Sequence, residues 1–225
     1  MNIRKYSKIG TYHAAAEGEN QDYLYSMENK DYLAVMLADG ATACGQGQKG
    51  ARLACEAAGR IIEQEGDVFF HYPKEKIAYL LSEQILYWLE CNKDREEDIH
   101  EYGSTFMLAF MEKKNGRTVF VNLGDGAAIS VKEKGISYLM RPRRIHGNPC
   151  LTTTEGASRM TKVEVMNVSL GENIILCSDG FLDQMSCGSS IELLKNFDLE
   201  TLDDELQMSD NRDDCSYIAY TRERK

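Results

Sequence analysis

The chain is short of several things, and each shortage removes a class of protein. Proline occurs three times in 225 residues, and no stretch is rich in Pro, Gly or Ser. Nothing marks a linker, a repeat or a low-complexity tract, so one domain over residues 1–225 is the expectation. No apolar run approaches the roughly 18 residues that a bilayer-spanning helix needs. The opening Met1-Asn2-Ile3-Arg4-Lys5-Tyr6-Ser7 has basic residues but no apolar stretch behind them, so no signal peptide is read. Positive charge is scarce: 26 Lys and Arg stand against 36 Asp and Glu, a net charge of −10. That balance argues against nucleic acid, whose phosphates select a basic face, and no membrane partner is expected. The seven cysteines are scattered, odd in number and without a C-x-x-C pair, which removes the zinc ribbon and the thioredoxin motif. They read as small buried hydrophobes and as reduced thiols of a cytoplasmic protein.

Apolar residues make up 43% of the chain, enough for a real core and too many for a disordered one. Tyr32 to Ala38 is a continuous apolar run of strand length closed by Asp39-Gly40. Gln48 to Glu65 predicts a helix ended by Gly66, and Lys74 to Cys91 a second one with Pro73 at its start. In the second helix Ile77, Leu81, Ile85, Trp88 and Leu89 recur at helical spacing. The texture then changes to short strands: Thr105–Met111 and Thr118–Leu123 around Lys113-Lys114-Asn115-Gly116, and Ala127–Val131 and Ile136–Leu139 around Glu133-Lys134-Gly135. Lys162–Leu170 and Ile174–Cys177 are expected to form a further hairpin, and Cys215–Thr221 a last strand. Phe181–Met185, Ile191–Asn196 and Leu202–Met208 are short helical candidates. Long helices early and antiparallel hairpins late do not make the regular alternation of a doubly wound sheet.

Three Asp-Gly pairs, Asp39-Gly40, Asp125-Gly126 and Asp179-Gly180, each end an apolar strand, and Asp213-Asp214 precedes the last one. Asp-Gly is a favoured hairpin turn, and turn chemistry suits Asp125-Gly126, which has strand on both sides. It fits the other two poorly, since each leads into a helix. The second reading is a metal site, because Mg²⁺ and Mn²⁺ prefer carboxylate, carbonyl and water oxygens. Carboxylates packed together without cations would repel one another. Spacing alone leaves both readings open.

The order of motifs is more specific than any one of them. The chain reads Glu19-Asn20-Gln21-Asp22, Ala38-Asp39-Gly40-Ala41, Gly103-Ser104-Thr105, Asn122-Leu123-Gly124-Asp125, Cys177-Ser178-Asp179-Gly180-Phe181-Leu182-Asp183 and Asp213-Asp214-Cys215-Ser216-Tyr217-Ile218. From Asn20 to Ile218 this resembles the metal-dependent protein phosphatases of the PP2C type. The resemblance implies an α+β fold, a four-layer α-β-β-α sandwich of two antiparallel sheets flanked by helices. It implies a binuclear Mn²⁺ or Mg²⁺ centre and hydrolysis of phosphoserine and phosphothreonine by a metal-activated water, with no covalent phosphoenzyme. By motif position Asp39 bridges both metals, the Gly40 carbonyl binds one, and Asp179 and Asp213 complete the core. Asp22 serves the pair directly or through water. Asp125 and Asp183 match positions that hold a third, looser metal. The implied partners are phosphorylated proteins, a Ser/Thr kinase or its substrates. No Cys is followed by Arg six positions later, so the thiolate phosphatase loop is missing, which agrees.

Four departures bear on substrate recognition. Glu17 stands where the family places a phosphate-binding Arg, Gln21 replaces the usual Glu, Ala41 replaces a His found in some relatives, and Gly126-Ala127 follow Asp125. The stretch between Asp125 and Asp179 is short, so the flap beside the active site looks trimmed. Arg141-Pro142-Arg143-Arg144, the one dense basic run, reads as a solvated loop with phosphate recruitment as its alternative. Ser104 and Thr105 read as structural hydrogen-bonding groups, the four histidines as surface or packing residues, and Tyr79, Tyr87 and Trp88 as helix-packing residues. Two rivals remain: a non-catalytic phosphoprotein-binding relative, and a Rossmann protein suggested by Gly45-x-Gly47-x-x-Gly50. Against the latter, Asp39 to Cys44 separate the first glycine from the strand.

Overall fold

A computed structural model describes residues 2–132, 135–185 and 188–223. In chain order the elements are β1 (Ile3–Lys8), α1 (Thr11–Ala15), β2 (Asp22–Glu28), β3 (Tyr32–Asp39), α2 (Gly47–Phe69), α3 (Lys74–Asn92), a 3₁₀ turn (Ile99–Tyr102), β4 (Phe106–Glu112), β5 (Arg117–Leu123), β6 (Ala127–Lys132) and β7 (Gly135–Met140). A two-residue hairpin follows, β8 (Arg144–Ile145) and β9 (Asn148–Pro149), and then α4 (Ala157–Met160), β10 (Lys162–Asn167), β11 (Asn173–Cys177), α5 (Asp179–Gln184), α6 (Gly188–Lys195), α7 (Leu199–Met208) and β12 (Cys215–Thr221).

The strands form two five-stranded sheets, ordered β1-β12-β11-β6-β7 and β10-β5-β4-β3-β2, and every strand pair is antiparallel. Side chains of a strand alternate between its faces, and β3 shows what each face meets. Leu33, Val35 and Leu37 lie in the layer between the sheets with Met107, Phe120, Ile174, Leu176 and Ile218. Ala34, Met36 and Ala38 face the other way, against α2 and α3. The strand is buried on both faces, which is why its sequence is continuously apolar rather than alternating. A third apolar layer joins the outer face of the first sheet, through Ile129, Ile175 and Tyr217, to Phe181, Leu194, Leu202 and Leu206 of the late helices. Each large apolar side chain taken fully from water contributes about 1.5–3 kcal/mol. The result is the expected four-layer α-β-β-α sandwich.

Several local expectations need correction. α2 runs through Gly66 to Phe69, because Gly66 is buried beneath Phe110 and packing there outweighs the helix-breaking tendency of glycine. β10 and β11 do not form a hairpin: β10 pairs with β5 and β11 with β6 and β12, so the connection crosses between sheets. Tyr79 and Tyr87 lie exposed on the solvent side of α3 rather than in the core, while Trp88 is half-buried under the guanidinium of Arg60. β1 and β2 gave no clear signal, since both are sheet edges of mixed polarity. The turn expected at Glu133-Lys134 and the thiol of Cys187 lie outside the described residues.

Candidate metal centre

The site begins with a pairing that a sheet ordinarily avoids. β2 and β3 are in register so that Asp22 stands directly opposite Asp39, and like charges in that position repel. Both are held there by their backbones. Thr105 Oγ1 accepts the Asp39 amide at 3.1 Å, and the Thr105 amide donates to the Asp39 carbonyl at 2.8 Å. The Asn20 side chain accepts the Asp22 amide at 2.9 Å. Thr105 thus does structural work, and so does Ser104, buried and bonded to Thr152.

The Asp-Gly pairs are not hairpin turns of the favoured kind. None of Gly40, Gly126 and Gly180 has a positive φ, and it is Gly124, before Asp125, that does. These glycines serve close packing instead. A Cβ on Gly40 would lie 2.4 Å from the Gly47 carbonyl carbon, and one on Gly180 would lie 2.1 Å from the Asp214 carbonyl oxygen. The first contact seats the start of α2 against the end of β3, which is the role of the glycine-rich stretch. Together with the antiparallel sheets it removes the Rossmann alternative.

Strand ends of both sheets bring Asp39, Asp125 and Asp179 together, with one carboxylate oxygen of each lying within 4.8 Å of the others. Asp125 and Asp22 are buried. Both oxygens of Asp22 and Oδ1 of Asp179 are buried without a hydrogen-bond partner. Burial, and after it the charges of Asp22, Asp179, Asp213 and Asp125, push Asp39 well above the ordinary carboxylate range. Burial likewise pushes Asp22 up to about 8, opposed by the neighbouring Ser216 hydroxyl and reinforced by Asp214, Asp179 and Asp213, and Asp179 up to about 6, reinforced by Asp125 and Asp213 and opposed by Arg144. Partnerless buried carboxylate oxygens are costly, and hard divalent cations are the partners such oxygens suit. The donor set therefore fits a hard divalent cation.

Asp213 and Asp214 divide the remaining work. Asp214 turns inward and accepts the Gly10 and Gln21 amides, both at 2.7 Å, and His13 Nδ1 at 3.0 Å. It ties the N-terminal segment to the last strand. Asp213 turns outward and, with Asp183, Gly180, Tyr12 and Arg212, lines a cleft of about 550 Å³. Asp183 and Asp213 thus lie on the cleft side, and neither is part of the close trio. Glu17 is exposed, with a positive φ. The nearest cation lies elsewhere: Arg144 Nε donates to Asp125 Oδ2 at 2.7 Å, and Nη2 to Asp179 Oδ2 at 2.9 Å. Arg144 is thus solvent-exposed, as the run was expected to be, with its side chain 52% accessible, but it is also paired with two aspartates. Sequence reasoning missed it, together with Asp214 and His13. The Arg-Pro-Arg-Arg run was the available signal for Arg144. Motif position alone distinguished the two neighbouring aspartates, by assigning Asp213 to the core; the role of Asp214 had no signal.

Strand ends of an antiparallel two-sheet sandwich thus gather three carboxylates into a donor set of the kind that hard divalent cations take. The sequence profile described as Protein phosphatase 2C matches residues 9–210, and the chain belongs to that family, whose members are protein serine/threonine phosphatases. No curated protein sequence matches at a significant level. Among solved structures, a bacterial serine phosphatase superimposes with a TM-score of 0.79 at 13% identity, covering 100% of this chain and 99% of that one. The serine/threonine phosphatase Stp1 from Staphylococcus aureus does so at 0.72 and 14%, covering 98% and 94%. RsbX in complex with magnesium gives 0.62 and 14%, covering 96% and 92%. At such identities the likeness is one of fold.

Proposed function

We propose that this chain hydrolyses phosphoserine and phosphothreonine monoesters of proteins at a binuclear Mn²⁺ or Mg²⁺ centre held by Asp39, Asp179 and Asp213, with Asp22 and the Gly40 carbonyl beside them. The observation that carries this reading is the set of buried, partnerless oxygens on Asp22 and Asp179, facing Asp39. Bound divalent cations supply charge that lowers the pKa of a water and offsets the negative charge on a phosphoryl group. The protein's own part is positional. The Thr105 and Asn20 bonds fix Asp39 and Asp22 before any ligand arrives, so little reorganisation accompanies binding. Asp214 and His13 hold the Gln21 segment in place, and with it the start of β2. The cleft beside Asp213 is open enough to admit a phosphorylated side chain. Phosphorylated proteins are the substrates, a Ser/Thr kinase or its targets among them. A cytoplasmic setting agrees with the free thiols of all six described cysteines.

The test is turnover of p-nitrophenyl phosphate and of a phosphothreonine peptide with Mn²⁺, Mg²⁺ or EDTA, for wild type and Asp39→Asn. The expected result is turnover that needs the cation and is lost in the variant. A folded wild type that turns over neither substrate with either metal would overturn the catalytic reading and leave a phosphoprotein-binding relative in its place.

A further inference from the structure

The trio, together with Asp22 opposite Asp39, has oxygens without a partner, its inner side, and oxygens already taken, its outer side. On the inner side, Asp179 Oδ1 and both oxygens of Asp22 have no partner. On the outer side, Asp125 Oδ2 and Asp179 Oδ2 are both taken by one guanidinium, that of Arg144. The placement of Arg144 is built rather than incidental. It opens the β8–β9 hairpin, whose turn is closed by His146 and Gly147, both at positive φ. The hairpin's base is tied down by Arg143, whose amide donates to the Gly124 carbonyl at 3.0 Å and whose Nη1 donates to the Met160 carbonyl at 3.0 Å. A planar guanidinium with fixed donors is suited to bridging two carboxylates, and charge-assisted bonds of this length are the strong ones. The side chain of Asp125 is only 4% exposed, so its charge needs a permanent neighbour.

We infer that Arg144 takes the place of a third divalent cation, so that this site loads two metal ions and no more. The inference rests on the two-metal reading above and goes beyond it. A third cation on Asp125 must compete with a guanidinium already bonded there in good geometry. The inner oxygens stay open to the first two ions while Arg144 remains in position.

The experiment counts bound Mn²⁺ on the metal-stripped full chain, by the loss of the free-ion signal in electron paramagnetic resonance and by calorimetry. Wild type is expected to bind two ions. Arg144→Gln removes the charge but keeps much of the shape, and is expected to gain a third, weaker binding event. Arg144→Gln combined with Asp125→Asn is expected to return to two. Three ions on wild type, or two on a folded Arg144→Gln, would overturn the inference. If the single variant does not fold, the wild-type count alone decides. Binding of no Mn²⁺ by wild type would end the two-metal reading and this inference with it, whereas the other failures leave the two-metal reading intact.

Discussion

Strand β3 carries two kinds of residue along one length. From Leu33 to Ala38 every side chain is buried and apolar, and each face meets its own apolar layer. At Asp39 the same backbone continues, but the next side chain is a carboxylate facing Asp22, with Asp125 and Asp179 drawn in from neighbouring strand ends. In the body of the strand, pattern, propensity and packing agree. At its tip they conflict, because the ladder that aligns Leu33 with Glu28 also aligns Asp39 with Asp22. A fold retains such a conflict where the repulsion is relieved by something that binds.

The largest effect should separate the two regions by function. Asp39→Asn is expected to lower metal-dependent turnover by about 10²–10³-fold or more, the scale of losing one electrostatic partner of a transition state, as read in steady-state assays with Mn²⁺. Two residues earlier, Leu37→Ala should do the opposite. It leaves a cavity between the sheets and is expected to destabilise by about 2–5 kcal/mol in urea unfolding, while turnover per folded molecule is preserved. Equal losses of stability from both substitutions would break the comparison.

The pH dependence should be smaller and of definite sign. Asp22 and Asp179 are raised, to about 8 and about 6, from an ordinary value of 3.8. Each holds a proton in the folded state that the unfolded chain has already released. Their contribution is therefore complete below the unfolded value and is lost as pH rises through the folded ones. In EDTA the melting temperature should fall between about pH 4 and pH 8. Excess Mn²⁺ should remove or reverse that fall, since the cation binds ionised carboxylates. A melting temperature in EDTA that rises over the same range would contradict the assignment. The smallest effect belongs to Tyr79→Ser, on the exposed face of α3, which should change stability by no more than about 0.5 kcal/mol in the same unfolding assay.

Much of the fold was legible because its strands and helices bury whole faces. The continuous run at β3, the helical spacing in α3 and the β4–β5 hairpin over Gly116 all read directly from apolar pattern and turn chemistry. Edge strands β1 and β2 were not legible, because a strand paired on one side and half in solvent keeps a weak period. The crossing between β10 and β11 was hidden because adjacency in sequence suggests a hairpin wherever two short strands meet a Gly. In the site, the order of the Asp-Gly motifs announced Asp39, Asp125 and Asp179, and the structure draws those three together. Arg144 was visible only as one member of a basic run, since its partners are 19 and 35 residues away in the chain. Asp213 and Asp214 are identical in type and adjacent, and only the backbone of the last loop decides which faces the cleft and which holds Gly10 and Gln21.

The most direct test of the account is thermal unfolding of wild type and Asp39→Asn, each in EDTA and in excess Mn²⁺. If the strand ends form a cluster of carboxylates awaiting cations, removing one charge relieves repulsion. Asp39→Asn should then melt several degrees above wild type in EDTA, with each 1 kcal/mol worth about 2–4 °C in a chain of this size. It should gain little from Mn²⁺, while wild type gains much and overtakes it. An Asp39→Asn protein that melts below wild type in EDTA, or that gains as much from Mn²⁺ as wild type does, would contradict it.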